Sequence, residues 1–221
     1  MIEIGDGVVV KVCGITNTND ALCCAAADVD MLGLNFSPQS SRCISTTTGA
    51  EIIAPVRRQF PRTKFVGVFV NQEFESVNRM TTNLALDAVQ LHGEESSAYV
   101  RNLNAPFVIK ALRVGPDYST SAAGEYQCDA VLLDSWSLQS PGGTGKTFAW
   151  SVAIATRPRV HRLILAGGLT PENVADAIRQ VRPWAVDVCS GVEDSPGRKN
   201  DAKVRRFLKS VRATAQIEGK S

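Results

Sequence analysis

Short apolar runs recur along the chain, separated by longer stretches of mixed character. They fall at residues 8–12, 31–34, 65–70, 88–91, 107–112, 130–133, 163–165 and 185–188. Bounded by polar and turn residues, they read as strands. The stretches between them carry helical periodicity and helix-start signals. Thr18-Asn19-Asp20 precedes an alanine-rich segment. Thr170-Pro171-Glu172-Asn173 places Pro171 at the first position of a helix, with Val174, Ala177, Ile178 and Val181 following at helical spacing. Successive runs start about 20 to 35 residues apart, as βα units do. Eight such units predict a parallel sheet that closes into a single (β/α)8 TIM barrel over residues 1–221, with frayed ends at about 1–7 and 213–221. An open doubly wound sheet would share the alternation. It usually shows a G-x-G-x-x-G turn after its first strand, and Lys11-Val12-Cys13-Gly14-Ile15-Thr16 has none.

Composition narrows the class of partner. The chain has 221 residues, 44% of them hydrophobic and 21% charged, as in an ordinary globular domain. A net charge of +2 is too small to suggest nucleic acid or a membrane surface as partner. Six cysteines without a C-x-x-C pair, and only two histidines, argue against a metal site. The N-terminus lacks a leader pattern, and no apolar run is long enough to span a bilayer. The expectation is a reduced, cytoplasmic protein acting on a small phosphorylated molecule; the sequence does not set the oligomeric state, and a monomer is favoured.

The phosphate enters through two glycine breaks. Leu163-Ile164-Leu165-Ala166-Gly167-Gly168-Leu169 and Ala185-Val186-Asp187-Val188-Cys189-Ser190-Gly191 are strand-like runs that end in small residues. They follow the last two predicted strands, where barrels of the phosphate-binding type present backbone N–H groups to an anion. Gly167, Gly168, Cys189, Ser190 and Gly191 are therefore the candidate phosphate contacts. Ser140-Pro141-Gly142-Gly143-Thr144-Gly145-Lys146-Thr147 resembles a nucleotide P-loop but has Ser140 where the motif needs glycine. It reads instead as a loop after strand six that can close over a ligand, with Gly145 adding to the phosphate site.

Catalytic groups in such barrels sit at the C-terminal ends of strands. Strand one ends in Cys13, strand four in Gln90-Leu91-His92, strand six in Asp134, and strand eight carries Asp187. Alternation puts Lys11 with Cys13, Gln90 with His92, and Asp187 with Cys189 on common faces. Cys13 reads either as a small buried hydrophobe or as a thiolate poised as base or nucleophile. Asp134 reads either as a loop cap or as a general acid. His92 alone would serve structure as readily as chemistry. Arg42 lies in the loop after strand two, where it is either solvated or paired with a carboxylate.

The chain resembles the phosphoribosylanthranilate isomerase family of tryptophan biosynthesis. Seven segments carry the resemblance in order, from about Val10 to Val211: Lys11-Val12-Cys13-Gly14-Ile15, Val66-Gly67-Val68-Phe69-Val70-Asn71, Val89-Gln90-Leu91-His92-Gly93-Glu94, Leu132-Leu133-Asp134-Ser135, Gly142-Gly143-Thr144-Gly145, Ala166-Gly167-Gly168-Leu169-Thr170-Pro171-Glu172-Asn173-Val174, and Val186-Asp187-Val188 with Ser190-Gly191-Val192-Glu193. The resemblance implies a cofactor-free Amadori rearrangement of an aminoaldose phosphate to an aminoketose phosphate. It assigns the general base to Cys13, the general acid to Asp134, and the anthranilate end to Arg42. Gln90, His92 and Asp187 would contact substrate, and the glycine loops would grip the phosphate.

The departures from the family are few. Cys189 stands where serine is frequent, Cys43 follows Arg42 where tyrosine is common, and Arg198-Lys199-Asn200-Asp201 differs from the usual ending. Other barrels of the class remain as alternatives. A sugar isomerase of histidine biosynthesis pairs two aspartates, which Cys13 disfavours. Indoleglycerol phosphate synthase uses lysine and glutamate, and Lys110 lies in strand five. A barrel that binds a phosphorylated ligand without turnover is the non-enzymatic reading.

Overall fold

The computed structural model describes residues 7–135 and 150–218, with side chains as far as Thr214. Gly145 and the segment around it lie outside the described residues. Eight strands form one closed barrel in sequential order: β1 (Val9–Cys13), β2 (Met31–Asn35), β3 (Lys64–Phe69), β4 (Ala88–Leu91), β5 (Val108–Val114), β6 (Ala130–Ser135), β7 (Leu163–Leu165) and β8 (Ala185–Val188). Every neighbouring pair is parallel, and β1 pairs with β8 to close the ring. Closure rules out the open doubly wound sheet.

The connecting helices are α1 (Thr18–Ala26), α2 (Thr46–Gln59), α3 (Phe74–Asn83), α4 (Ser97–Asn102), α5 (Thr120–Ala123), α6 (Trp150–Thr156) and α7 (Val174–Val181). A small antiparallel hairpin of β9 (Glu193–Ser195) and β10 (Arg198–Lys199) follows β8, and α8 (Asp201–Glu218) ends the fold. Among the described residues no helix is long and apolar enough to cross a membrane.

Strand alternation divides the apolar residues into two cores. Val10, Val12, Val89, Leu91, Val131, Leu133, Val186 and Val188 face outward into the layer between barrel and helices. Val9, Met31, Val66, Ala88, Ile109, Ala130, Leu132, Ile164 and Ala185 fill the barrel interior. The inward phase continues past this plug toward the C-terminal mouth. Two or four residues further along, it delivers Lys11 and Cys13 on β1, Gln90 and His92 at β4, Asp134 on β6 and Asp187 on β8. The period that builds the core therefore also delivers the polar groups to one place.

Three local expectations differ from the structure. β5 runs to Val114, beyond the predicted end at Leu112. Polar residues at the barrel mouth interrupt the apolar pattern but not the hydrogen-bond ladder. Pro171 lies in the turn before α7, not at its first position, because α7 begins at Val174. Asn173 builds that turn: its Oδ1 accepts from Thr170 N at 2.8 Å and its Nδ2 donates to Gly168 O at 2.9 Å. Finally, α8 continues to Glu218, past the expected fraying point near Arg212. Its stripe of Val204, Phe207, Leu208 and Val211 is buried against the barrel, and Thr214 extends it by a turn.

Candidate functional site

A cavity of about 980 Å3, open mouth included, lies at the C-terminal end of the barrel. Cys13, Arg42, Gln90, His92, Asp134, Asp187, Gly167, Gly168, Cys189 and Ser190 all line it. Gly191 does not. A Cβ there would stand 2.0 Å from Leu169 O, so Gly191 lets the two glycine loops lock against each other behind the cavity wall. Gly145 lies outside the described residues.

The first glycine loop turns through two left-handed residues, Gly167 at φ +80° and Gly168 at φ +69°. Glycine adopts such angles without steric cost. At Gly167 the backbone also passes so close to Ser135 that a Cβ would meet its N at 2.5 Å. The second loop follows β8 as a short 3-10 turn, Ser190–Val192.

Two polar clusters flank these loops. On one side, His92 Nε2 stands 3.5 Å from Asp134 Oδ2, while Nδ1 faces Gln90 Nε2 at 3.1 Å. An amide that donates to Nδ1 leaves Nε2–H directed at Asp134. The other Asp134 oxygen accepts from Ser135 N at 2.8 Å. The carboxyl is thus held on both oxygens and still faces the cavity. On the other side, Lys11 Nζ donates to Asp187 Oδ1 at 3.0 Å. These two are register partners across the β1–β8 seam, and Cys13 follows on the same face as Lys11. Burial pushes the Cys13 thiol up, with the Lys11 ammonium opposing it.

Arg42 is not solvated. Its Nε and Nη2 donate to the two carboxylate oxygens of Glu193 at 2.8 and 2.5 Å. Glu193 also accepts from Lys199 Nζ at 2.7 Å. Burial alone would raise the Glu193 carboxyl, but Arg42 and Lys199 outweigh it and hold it at about 2. Cys189 packs beside this cluster, with its Sγ 3.8 Å from both Lys199 Nζ and Glu193 Oε1. Burial pushes its thiol up to about 12, so it stays neutral near neutral pH.

Sequence reasoning missed four residues here. Arg113 and Asn35 line the cavity just past the predicted strand ends. Their signal was phase, because Arg113 continues the inward series Ile109, Ala111. Glu193 and Lys199 form the support of Arg42, which only the folded chain brings together. Lys110 does not enter the cavity wall. It is buried, with Nζ bound to Gly93 O at 2.5 Å and Glu95 Oε2 at 2.7 Å. A catalytic lysine on β5 therefore has no support.

Residues 10–210 match the sequence model of the family described as N-(5'phosphoribosyl)anthranilate (PRA) isomerase. A relative named N-(5'-phosphoribosyl)anthranilate isomerase, from Trichlorobacter lovleyi, is 46% identical over 203 residues, 92% of this chain and 97% of its own. The crystal structure of phosphoribosyl anthranilate isomerase from Thermotoga maritima superposes with a TM-score of 0.86 at 41% identity, covering 93% of this chain and 99% of that one. A crystal structure of a phosphoribosyl anthranilate isomerase in complex with reduced 1-(o-carboxyphenylamino)-1-deoxyribulose 5-phosphate matches with a TM-score of 0.83 at 39% identity, with coverage of 93% of this chain and 99% of that one.

Proposed function

The chain belongs to the N-(5'-phosphoribosyl)anthranilate isomerase family, and from that premise we propose which of its residues carry the reaction. The enzyme is an aldose–ketose isomerase of tryptophan biosynthesis that converts an aminoaldose phosphate to an aminoketose phosphate by Amadori rearrangement. One observation carries the assignment of roles: a thiol from β1 and a carboxyl from β6 line the same cavity, with the glycine loops beside them.

In this reading Asp134 donates a proton to the furanose ring oxygen. The C1–O bond breaks, and the anthranilate nitrogen lone pair forms an iminium. The iminium acidifies the C2 proton, which the Cys13 thiolate removes. The resulting enolamine tautomerises to the ketone. His92 and Ser135 N hold the Asp134 carboxyl in place for the first step. Arg42, fixed by Glu193, offers its remaining N–H donors to the anthranilate carboxylate. Gly167, Gly168, Cys189 and Ser190 line the part of the cavity formed after β7 and β8, where the phosphate would rest. The analogue bound by the related structure carries the same carboxyphenylamino and phosphate groups. The enzyme acts in the cytoplasm as a monomer. The free state of its cysteines supports the first point. The second is supported by Ile154, the one exposed large hydrophobic residue among those described.

The test is turnover by the purified protein without added metal or cofactor, followed as loss of the substrate's anthranilate fluorescence. No loss above the blank would overturn the function. Cys13→Ala and Asp134→Asn should each lower kcat by at least about 10²-fold. Near-native kcat in either variant would refute that residue's role.

A further inference from the structure

Lys11 is fully buried inside the barrel. An ammonium there is costly unless paired, and Asp187 pairs it at 3.0 Å. Its position also brings it to the Cys13 sulfur. A Cβ at Gly33, on the neighbouring β2, would stand 2.8 Å from Cys13 Sγ and 3.2 Å from Lys11 Nζ. Thiol and ammonium thus converge on the space left open by a glycine.

We propose that Lys11 is a positioning residue that holds a fixed positive charge against the Cys13 sulfur, so that the thiolate has a counter-ion inside a buried site. The inference rests on the reading of Cys13 as the base. Asp187 anchors the cation and keeps it from swinging into the cavity.

The surrounding charges fit this role. Cys13 is faced by Lys11 on its own strand, Asp187 from β8, Lys199 from β10, Arg42 from the loop after β2, and the Cys189 thiol at the end of β8. Lys199 and Arg42 are both engaged by Glu193. Lys11 is the cation whose Nζ closes on the same space beside Gly33 as the Cys13 sulfur. Burial alone would lower the Lys11 ammonium, but Asp187 and Cys13 outweigh it and raise it. Lys11 therefore stays charged over the range in which a thiol titrates.

The experiment reads thiolate formation directly. Iodoacetamide alkylation of Cys13 is followed by site-resolved mass spectrometry as a function of pH, since only the thiolate reacts. Lys11→Met should move the midpoint upward by about one pH unit or more, and Lys11→Arg by less than about half of that. The ascending limb of kcat/KM against pH should move with it. An unshifted midpoint in folded Lys11→Met overturns the proposal. If that variant fails to fold because Asp187 is left unpaired, Lys11→Met/Asp187→Asn removes both charges and decides the question. Its midpoint above the wild type supports the proposal, and one at or below it overturns it. Alkylation needs no turnover. Retained isomerase activity in Cys13→Ser would sink the base assignment while leaving the alkylation result intact.

Discussion

Arg42 and Glu193 are joined by two side-chain hydrogen bonds at the rim of the cavity, 2.8 and 2.5 Å long, although 151 residues separate them. The pair gives the guanidinium a fixed plane. An arginine held this way meets a planar carboxylate without first losing rotamer freedom. Glu193→Gln removes the charge and one acceptor while preserving shape. It should raise KM for phosphoribosylanthranilate about tenfold and change kcat by less than about threefold, because it loosens binding rather than proton transfer. Steady-state kinetics check this. A fall in kcat at unchanged KM would place Arg42 at the chemistry instead.

The same carboxylate should govern part of the acid stability. Its pKa is about 2 in the folded protein against the usual 4.5. A depressed folded value means that the stabilisation is present above pH 4.5 and is lost as pH falls toward about 2. Its size is on the order of 3 kcal/mol. Urea unfolding of wild type and Glu193→Gln over this window isolates the contribution, since the Arg42 guanidinium keeps its charge throughout. The stability difference should shrink as the pH falls. A constant difference would mean that Glu193 does not titrate with folding.

The barrel was legible because its strands announce themselves as apolar runs, and the inward phase of each run points to its polar end. Cys13, Gln90, His92, Asp134 and Asp187 follow from that rule. Arg113 and Asn35 did not, because a polar residue at the mouth ends the apolar run while the strand continues. The Lys11–Asp187 and Arg42–Glu193 pairs were illegible for another reason. Each joins segments more than a hundred residues apart, 176 and 151 in sequence. Only closure of β1 against β8 brings the first pair together. Gly191 shows a third limit. Its missing Cβ faces Leu169 O in the other glycine loop, a contact that only the folded chain creates.

Gly33 tests how tightly the Cys13 corner is filled. A Cβ there would lie 2.8 Å from Cys13 Sγ and 3.0 Å from Cys13 Cα. The second contact is backbone and cannot be relieved by a rotamer change. Gly33→Ala should cost about 1–3 kcal/mol of stability, typical of overpacking. It should also lower kcat by at least about tenfold with KM little changed, since a displacement of about 1 Å of a reacting group is severe. Urea unfolding and steady-state kinetics measure the two effects. Native kcat in Gly33→Ala would show that the thiol position is not critical.

Gly191 gives the corresponding test of the phosphate end. Its missing Cβ leaves room for Leu169 O, which would otherwise sit 2.0 Å away. Because the obstacle is a backbone carbonyl, Gly191→Ala must push the two glycine loops apart. Under the proposed phosphate grip, separated loops no longer converge on one anion, although Cys13 and Asp134 keep their places on β1 and β6. Gly191→Ala should therefore raise KM at least about tenfold, while kcat at saturation falls less. It should also weaken competitive inhibition by inorganic phosphate in parallel. Unchanged KM and unchanged phosphate inhibition in the folded variant would show that the loops bind the anion independently of each other.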